Sequence, residues 1–486
     1  MPRCIPRHIF NQIVSSITAF LTLLLSGIWL GWMSAVLPKF RGGEIPIPMT
    51  TDDLTWTVAL MDFGNLLSPI PTGYLMDRYG RLLTLRLAML AFVAASALVL
   101  AASAPYHLFL ARLLAGVGKG VGFTAATLYV AEIAGAKIRG ALSGVFIVML
   151  MGGTVVSMTV GPYVSFTTLN VITAVCPVVG LFLTLFIVES PYYHLIRDDP
   201  AAAGEAFARV RDQSKGAANE AEFALVKRKV AEDMSGQKSI LNLFTEKGNR
   251  RGLIIILVQG FLQRSGGISC ILAYASTTLP GDSFWQGKIS VMVFSWIMVV
   301  FGLVALSLVD RFGRKPLHLI SCVGLTLVTG VSAVYYYFYQ KTEVDVSQFM
   351  FVPHVGVVLF GVFYPVGVGQ IPHTLQSELF PTSVKGQASA LMTMALAISS
   401  FIVNKVYFAV DRGSASTSCT SSSPSATSSA WSSPPSTSSR PRERHSRRYS
   451  ISSKSKVKLH AFWDSSECAL ASEEQQNARE SHKIVY

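Results

Sequence analysis

Four ionisable residues stand inside stretches that are otherwise apolar: Asp62, Arg112, Lys119 and Arg264. A charge in hydrocarbon is costly, so such residues pair with one another, line a watery path or meet a polar solute. Asp62 can pair with Arg112 or with Lys119. Arg264 has no acidic neighbour at its depth, and is expected either to meet an anionic or polyhydroxylated solute or to reach outside water. A second set of charges is repeated. Gly73-Tyr74-Leu75-Met76-Asp77-Arg78-Tyr79-Gly80-Arg81 returns as Ser307-Leu308-Val309-Asp310-Arg311-Phe312-Gly313-Arg314-Lys315, each time just after an apolar run. Glu132 precedes Arg139 by seven residues, and Glu378 precedes Lys385 by the same interval. A carboxylate and two guanidiniums around a tight glycine turn can hold neighbouring helix ends in one conformation and release them in another. Placement of cations on one side of a membrane explains the arginines but not the acids beside them. No nucleophile–base pair, metal set or phosphate loop has workable spacing, so the expectation is no enzyme, no cofactor and no metal. Cys4, Cys176, Cys270, Cys322, Cys419 and Cys468 are scattered, which suits neither a zinc set nor a disulfide framework.

The elements that must carry these residues are membrane spans. Only 14% of the chain is charged and 51% is hydrophobic, against about 25% charged in a soluble domain. A formal charge of +13 on such a chain suits a multi-span membrane protein with cationic loops better than a nucleic-acid binder. A span needs about 20 apolar residues. Such stretches lie near 13–36, 54–76, 84–104, 107–131, 141–163, 168–188, 252–275, 289–309, 316–339, 351–372 and 387–410. The first is too long for a signal peptide and lacks a small-residue cleavage site. Arg3, Arg7, Arg78, Arg81, Arg86, Lys137, Arg139, Arg311, Arg314, Lys315 and Lys385 fall in alternate loops, which predicts a cytoplasmic amino terminus.

Two motifs duplicated in the same order predict parallel helical halves, 1–188 and 252–412, with a solute site between them at mid-membrane. Between them, 189–251 is polar. Pro200, followed by apolar spacing at Phe207, Val210, Phe223, Val226 and Val230, predicts amphipathic helices that either clamp the halves or form a solvated linker.

These motifs resemble those of the sugar porter family of the major facilitator superfamily, with the facilitated trehalose and glucose transporters of insects as the nearest branch. The two Asp-Arg-aromatic-Gly-Arg loops match the family's duplicated signature. Arg112-Leu113-Leu114-Ala115-Gly116, Tyr129-Val130-Ala131-Glu132-Ile133 and Arg139-Gly140-Ala141-Leu142 match its fourth-span signature, with Gly135 where proline is usual. Glu189-Ser190-Pro191 and Ser377-Glu378-Leu379-Phe380-Pro381 match the motifs after the sixth and tenth spans. The resemblance runs from about Ile13 to Phe408. It implies an all-α membrane protein of the major facilitator fold, with two parallel six-helix halves of which eleven spans are evident and the twelfth is lost. It also implies alternating access to a hexose or trehalose-like sugar, a monomeric transport unit and location in the plasma membrane.

The family's sugar-lining positions carry over unevenly. Its seventh-span Gln-Gln-x-x-Gly-Ile-Asn pattern, ending in tyrosine, reads Gln263-Arg264-Ser265-Gly266-Gly267-Ile268-Ser269 and then Tyr274. Its tenth-span Gly-Pro-Ile-Pro-Trp reads Gly369-Gln370-Ile371-Pro372-His373. The resemblance thus implies Gln263, Arg264, Ser269, Gln370 and His373 at the sugar, with Tyr274 as a gate. The family's fifth-span glutamine falls on Ile147 and its eighth-span asparagine near Met298, so several sugar contacts lack a donor. Proton-driven members carry an acid in the first span. Thr18–Val36 has none, so facilitated transport is expected. Glu189 joins Asp77, Arg78, Arg81, Glu132, Arg139, Asp310, Arg311, Arg314, Glu378 and Lys385 as the implied conformational latch. The missing sugar contacts and span motivate an alternative: a transport-inactive sensor, or a truncated or pseudogene product.

After residue 412 the character changes, and 23 of the last 74 residues are serine. Codons for Pro441-Arg442-Glu443-Arg444-His445-Ser446 can be chosen so that the next frame reads Pro-Glu-Ser-Gly-Thr-Leu, close to the family's ending. The serine run would likewise become leucine-rich. A reading frame displaced near Gly413–Thr420 is therefore expected over 413–486, with a genuinely disordered tail as the alternative. The sequence of the transcript across this region decides between them.

Overall fold

The computed structural model describes residues 6–412, apart from 136–137, 212–215, 236–241, 281–285, 343–345 and 381. The expected tail, 413–486, lies outside the described residues. Helices follow one another as α1 (Arg7–Arg41), α2 (Thr51–Leu67), α3 (Pro69–Tyr79), α4 (Arg81–Leu100), α5 (Pro105–Ile133), α6 (Arg139–Val160), α7 (Phe166–Leu183) and α8 (Pro191–Ile196). They continue as α9 (Pro200–Val210), α10 (Gly216–Ser235), α11 (Asn242–Thr245), α12 (Lys247–Ser265), α13 (Ile268–Thr278), α14 (Gly287–Phe312), α15 (Arg314–Lys341), α16 (Phe351–Val366), α17 (Ile371–Leu379) and α18 (Thr382–Arg412). Among the described residues ten segments are long and apolar enough to cross a membrane. The expected span 54–76 is not one of them, because Pro69 lacks an amide hydrogen and the chain restarts there as a separate helix. Of the eleven expected spans, 54–76 is thus carried by two shorter helices, α2 and α3.

Two further expected spans are also interrupted, each at glycine. Gly267 adopts φ +99° between α12 and α13, and the stretch from Gly367 to Gln370 separates α16 from α17. An interrupted helix frees backbone groups that hydrocarbon cannot satisfy. Side chains from other helices take them up. Gln263 Nε2 donates to the Gly369 carbonyl at 2.7 Å. Ser321 Oγ donates to the Phe363 carbonyl at 2.7 Å and accepts from the Val368 amide at 3.0 Å.

Helix α1 packs on α5 and α6, α2 on α5, and α4 on α5 and α7; farther along, α14 and α15 pack on α16, and α12 on α18. The pairs α1 with α13, α2 with α18 and α6 with α14 join residues on either side of 189–251. In the first group backbones meet directly. A Cβ on Gly153 would overlap the Leu24 carbonyl oxygen, and one on Gly27 would overlap that of Leu150. Gly64 and Gly116 stand in the same relation across α2 and α5. At Gly361 and Gly324 in the later helices the nearest atoms belong instead to rings, those of Phe294 and Phe363. Leu83, Leu87, Leu90, Val293 and Val300 turn outward, as lipid-facing residues do.

Trp32 is fully buried and its indole Nε1 donates to Asn170 Oδ1 at 2.8 Å, tying α1 to α7. Asn170→Leu leaves that N–H unpaired. The expected cost is about 1–3 kcal/mol, read as a lower melting temperature of the purified protein in detergent.

Candidate functional site

A cavity opens where α1, α2, α5, α12, α13 and α18 converge, lined by Asp62, Arg112, Arg264, Ser269, Ser400 and Asn404 with apolar Met33, Met61 and Leu272 among the rest. It has about 20 Å³ of room, about enough for one water. A sugar enters only if these walls move apart.

The charges in and beside it are arranged unequally. Asp62 accepts from Lys119 Nζ at 3.4 Å, from Ser400 Oγ at 2.6 Å and from Asn404 Nδ2 at 3.1 Å. Its cationic partner is thus Lys119, and its other partners come from α18. Arg112 is served by carbonyls instead: Nε donates to Thr57 at 2.9 Å and Nη1 to Trp29 at 2.6 Å, and the guanidinium lies near the Trp29 and Trp32 rings at 6.0 and 5.8 Å. One arginine so joins α5, α2 and α1. Arg264 lies within electrostatic reach of Lys119, Tyr364 and His373. Its Nε is buried without a hydrogen-bond partner among the described residues.

Of the implied sugar residues, Arg264 and Ser269 line the cavity, and Gln263, Tyr274, Gln370 and His373 do not. Gln263 is turned toward the Gly369 carbonyl at the break after α16. Tyr274 is buried and its ring stacks on Tyr407, centroids 4.7 Å apart and nearly parallel. His373 lies against Phe146. The side chains missed in the sequence are Ser400 and Asn404. A polar pair spaced four apart on an apolar helix was the available signal. Gln263 Oε1, Gln370 Oε1 and Asn404 Oδ1 are buried acceptors without partners among the described residues, and Trp29 Nε1 is a donor in the same position.

Part of the charged cluster implied as a latch lies among the described residues. Gly80 takes φ +98° between α3 and α4, and Gly313 takes φ +82° at the matching point between α14 and α15. This places the two repeats in the same turn. Beside Gly80 the carboxylate of Glu189 accepts from the Arg81 and Leu82 amides at 3.1 and 3.0 Å, capping α4. A Cβ on Gly80 would fall 2.5 Å from that carboxylate, so glycine is required for room as well as for φ. Arg81 reaches Glu132 at 2.9 Å, with both side chains buried, and Asp77 at 3.7 Å. Ser190 Oγ also donates to Glu132. Arg81 thus pairs with Glu132, because α4 begins beside the end of α5. Arg78 stands apart from the cluster, exposed and bonded to the Tyr74 hydroxyl, and Arg311 is exposed. The side chains of Arg139, Asp310, Glu378 and Lys385 lie outside the described residues. The loop helices belong to the same end. Gln12 Nε2 donates to the Val210 carbonyl at 2.5 Å and its Oε1 accepts from Gly135 N at 2.8 Å, while Arg211 pairs with Glu222 at 2.9 Å.

A helical membrane protein with discontinuous spans, a polar cavity between them and a repeated charged turn at one end has the architecture of a major facilitator carrier. The solved structure of the proton:xylose symporter XylE bound to 6-bromo-6-deoxy-D-glucose superposes with a TM-score of 0.71 over 87% of this chain and 95% of that one, at 18% identity. The sequence model of the "Sugar (and other) transporter" family matches residues 39–417, and the chain belongs to that family. Curated relatives include the facilitated trehalose transporter Tret1 of Polypedilum vanderplanki, 25% identical over 84% of this chain and 81% of that protein. The facilitated glucose transporter member 8 of Mus musculus is 27% identical over 82% and 85%. The Drosophila willistoni Tret1 is 24% identical over 84% of this chain, which spans only 47% of that longer protein.

Proposed function

We propose that this chain is a carrier that moves a hexose or trehalose-like sugar down its gradient by alternating access. Its helical halves, 1–188 and 252–412, would rock about the cavity, with the amino terminus in the cytoplasm of a plasma-membrane protein and one chain as the transport unit. The observation that carries this reading is the arrangement around Asp62. Helix α2 and helix α18 share one carboxylate across a cavity too small for sugar, so opening that side requires Ser400 and Asn404 to leave it. Uncoupled movement is supported by α1, which has no acid between Thr18 and Val36, and by Asp62, whose charge is already matched by Lys119.

Uptake of radiolabelled glucose and trehalose into transporter-deficient cells tests the proposal. Saturable uptake indifferent to a protonophore is expected. Accumulation driven by a pH gradient would replace the uncoupled reading, and well-folded protein at the surface with no uptake would favour the transport-inactive alternative.

A further inference from the structure

The cavity is charged in a way that a neutral sugar does not match. Arg112, Lys119 and Arg264 supply three cations in and beside it, and among the described residues Asp62 is the carboxylate that acts on Lys119 and Arg112. Asp62 answers Lys119 at 3.4 Å. Arg112 is held by two carbonyls and two indole rings. Among the described residues Arg264 has neither an acid nor a carbonyl as partner, and its Nε is buried without one. It stands near the middle of the membrane segment Lys247–Thr278, where an uncompensated guanidinium is expensive. A planar guanidinium facing a cavity is suited to a carboxylate or phosphate, which it can grip with two parallel hydrogen bonds. The unpartnered atoms nearby are mixed. Asn404 Oδ1 accepts on the cavity wall, and Trp29 Nε1 donates beside Arg112. Such a mixture suits hydroxyls, which both give and take hydrogen bonds.

We infer that the solute is an acidic sugar, a polyhydroxylated ring bearing one carboxylate or phosphate, with the acidic group on Arg264 and hydroxyls toward Asn404 and Trp29. This rests on the carrier reading and narrows its substrate. Asp62 serves as the repelling element: it keeps the acid away from Lys119 and turns it toward Arg264.

Purified full-length protein in detergent, followed by intrinsic tryptophan fluorescence, is titrated with glucuronate, glucose 6-phosphate and glucose. Counterflow of the same solutes in proteoliposomes provides the transport readout. Glucuronate or glucose 6-phosphate is expected to bind and exchange more tightly than glucose, and the comparison of these two separates carboxylate from phosphate. Arg264→Gln is expected to weaken the preferred acid on the order of tenfold to a hundredfold while glucose binding holds or improves. Arg264→Lys retains part of the preference, and both variants are checked for wild-type elution and melting. Glucose binding as well as either acid, or an acid preference untouched in Arg264→Gln, overturns the assignment and leaves the carrier reading standing. Failure of all three solutes, and of trehalose, to bind or exchange overturns both.

Discussion

Gly153→Ala is expected to prevent formation of a stable bundle, whereas Gly152→Ala next to it is expected to behave like wild type. The two positions differ only in what a methyl group meets. At Gly153 it would overlap the backbone of Leu24 and crowd Ile28, and backbone cannot rotate out of the way; at Gly152 it meets the Leu24 side chain at an ordinary 3.8 Å. Forcing α1 and α6 apart costs about 1–3 kcal/mol or more, and the damage extends to α5, which packs on both. Size-exclusion profiles and melting curves of the two variants in detergent provide the comparison. Equal behaviour would mean that α1 and α6 do not approach as closely as described.

Arg81→Ala is the second change with a large expected effect. It removes the cation from Glu132, which is only 9% exposed, and leaves a buried carboxylate with Ser190 as its polar partner. Breaking a buried pair from one side costs roughly 3–5 kcal/mol, so the melting temperature should fall sharply and surface expression with it. The double change Arg81→Met with Glu132→Leu removes both charges and should recover most of the stability. It should not recover the conformational preference. A cysteine replacing Met76, buried on α3 beside the α3–α4 turn, is expected to react with a thiol reagent faster in the double variant than in the otherwise wild-type protein. If Arg81→Ala melts like wild type, the pair does not stabilise the bundle. If labelling is unchanged in the double variant, the cluster is not a latch.

Much of this architecture is readable from composition and motif, and the reasons differ by residue. The helices are legible because hydrocarbon leaves the backbone no other way to satisfy itself. The turns at Gly80 and Gly313 are legible because positive φ selects glycine. The interruption at Pro69 is equally local, yet an apolar run of spanning length conceals it, and hydropathy reads 54–76 as one helix. The partners of Asp62 were only half legible. Lys119 was available as a nearby counter-charge, but Ser400 and Asn404 are more than 330 residues away, and only tertiary packing brings them close. Glu132 shows the same limit. Spacing points to Arg139, whose side chain lies outside the described residues, and no local spacing announces Arg81, which reaches Glu132 from another helix. Its motif implies a sugar contact for Gln263, and the fold adds a second task that no motif announces, since its amide mends the interrupted backbone at Gly369.

Arg264 carries one consequence beyond recognition. A membrane at rest holds an electric field, and an elementary charge crossing 100 mV of it changes energy by about 2.3 kcal/mol. A guanidinium without a counter-ion among the described residues, near the middle of Lys247–Thr278, turns any rocking of its helix into movement of charge. With an acid seated on it, that charge is cancelled. Voltage would then act more strongly on the return of the empty protein than on the loaded stroke, so that the resting potential, as well as the solute gradient, sets how fast the cycle turns.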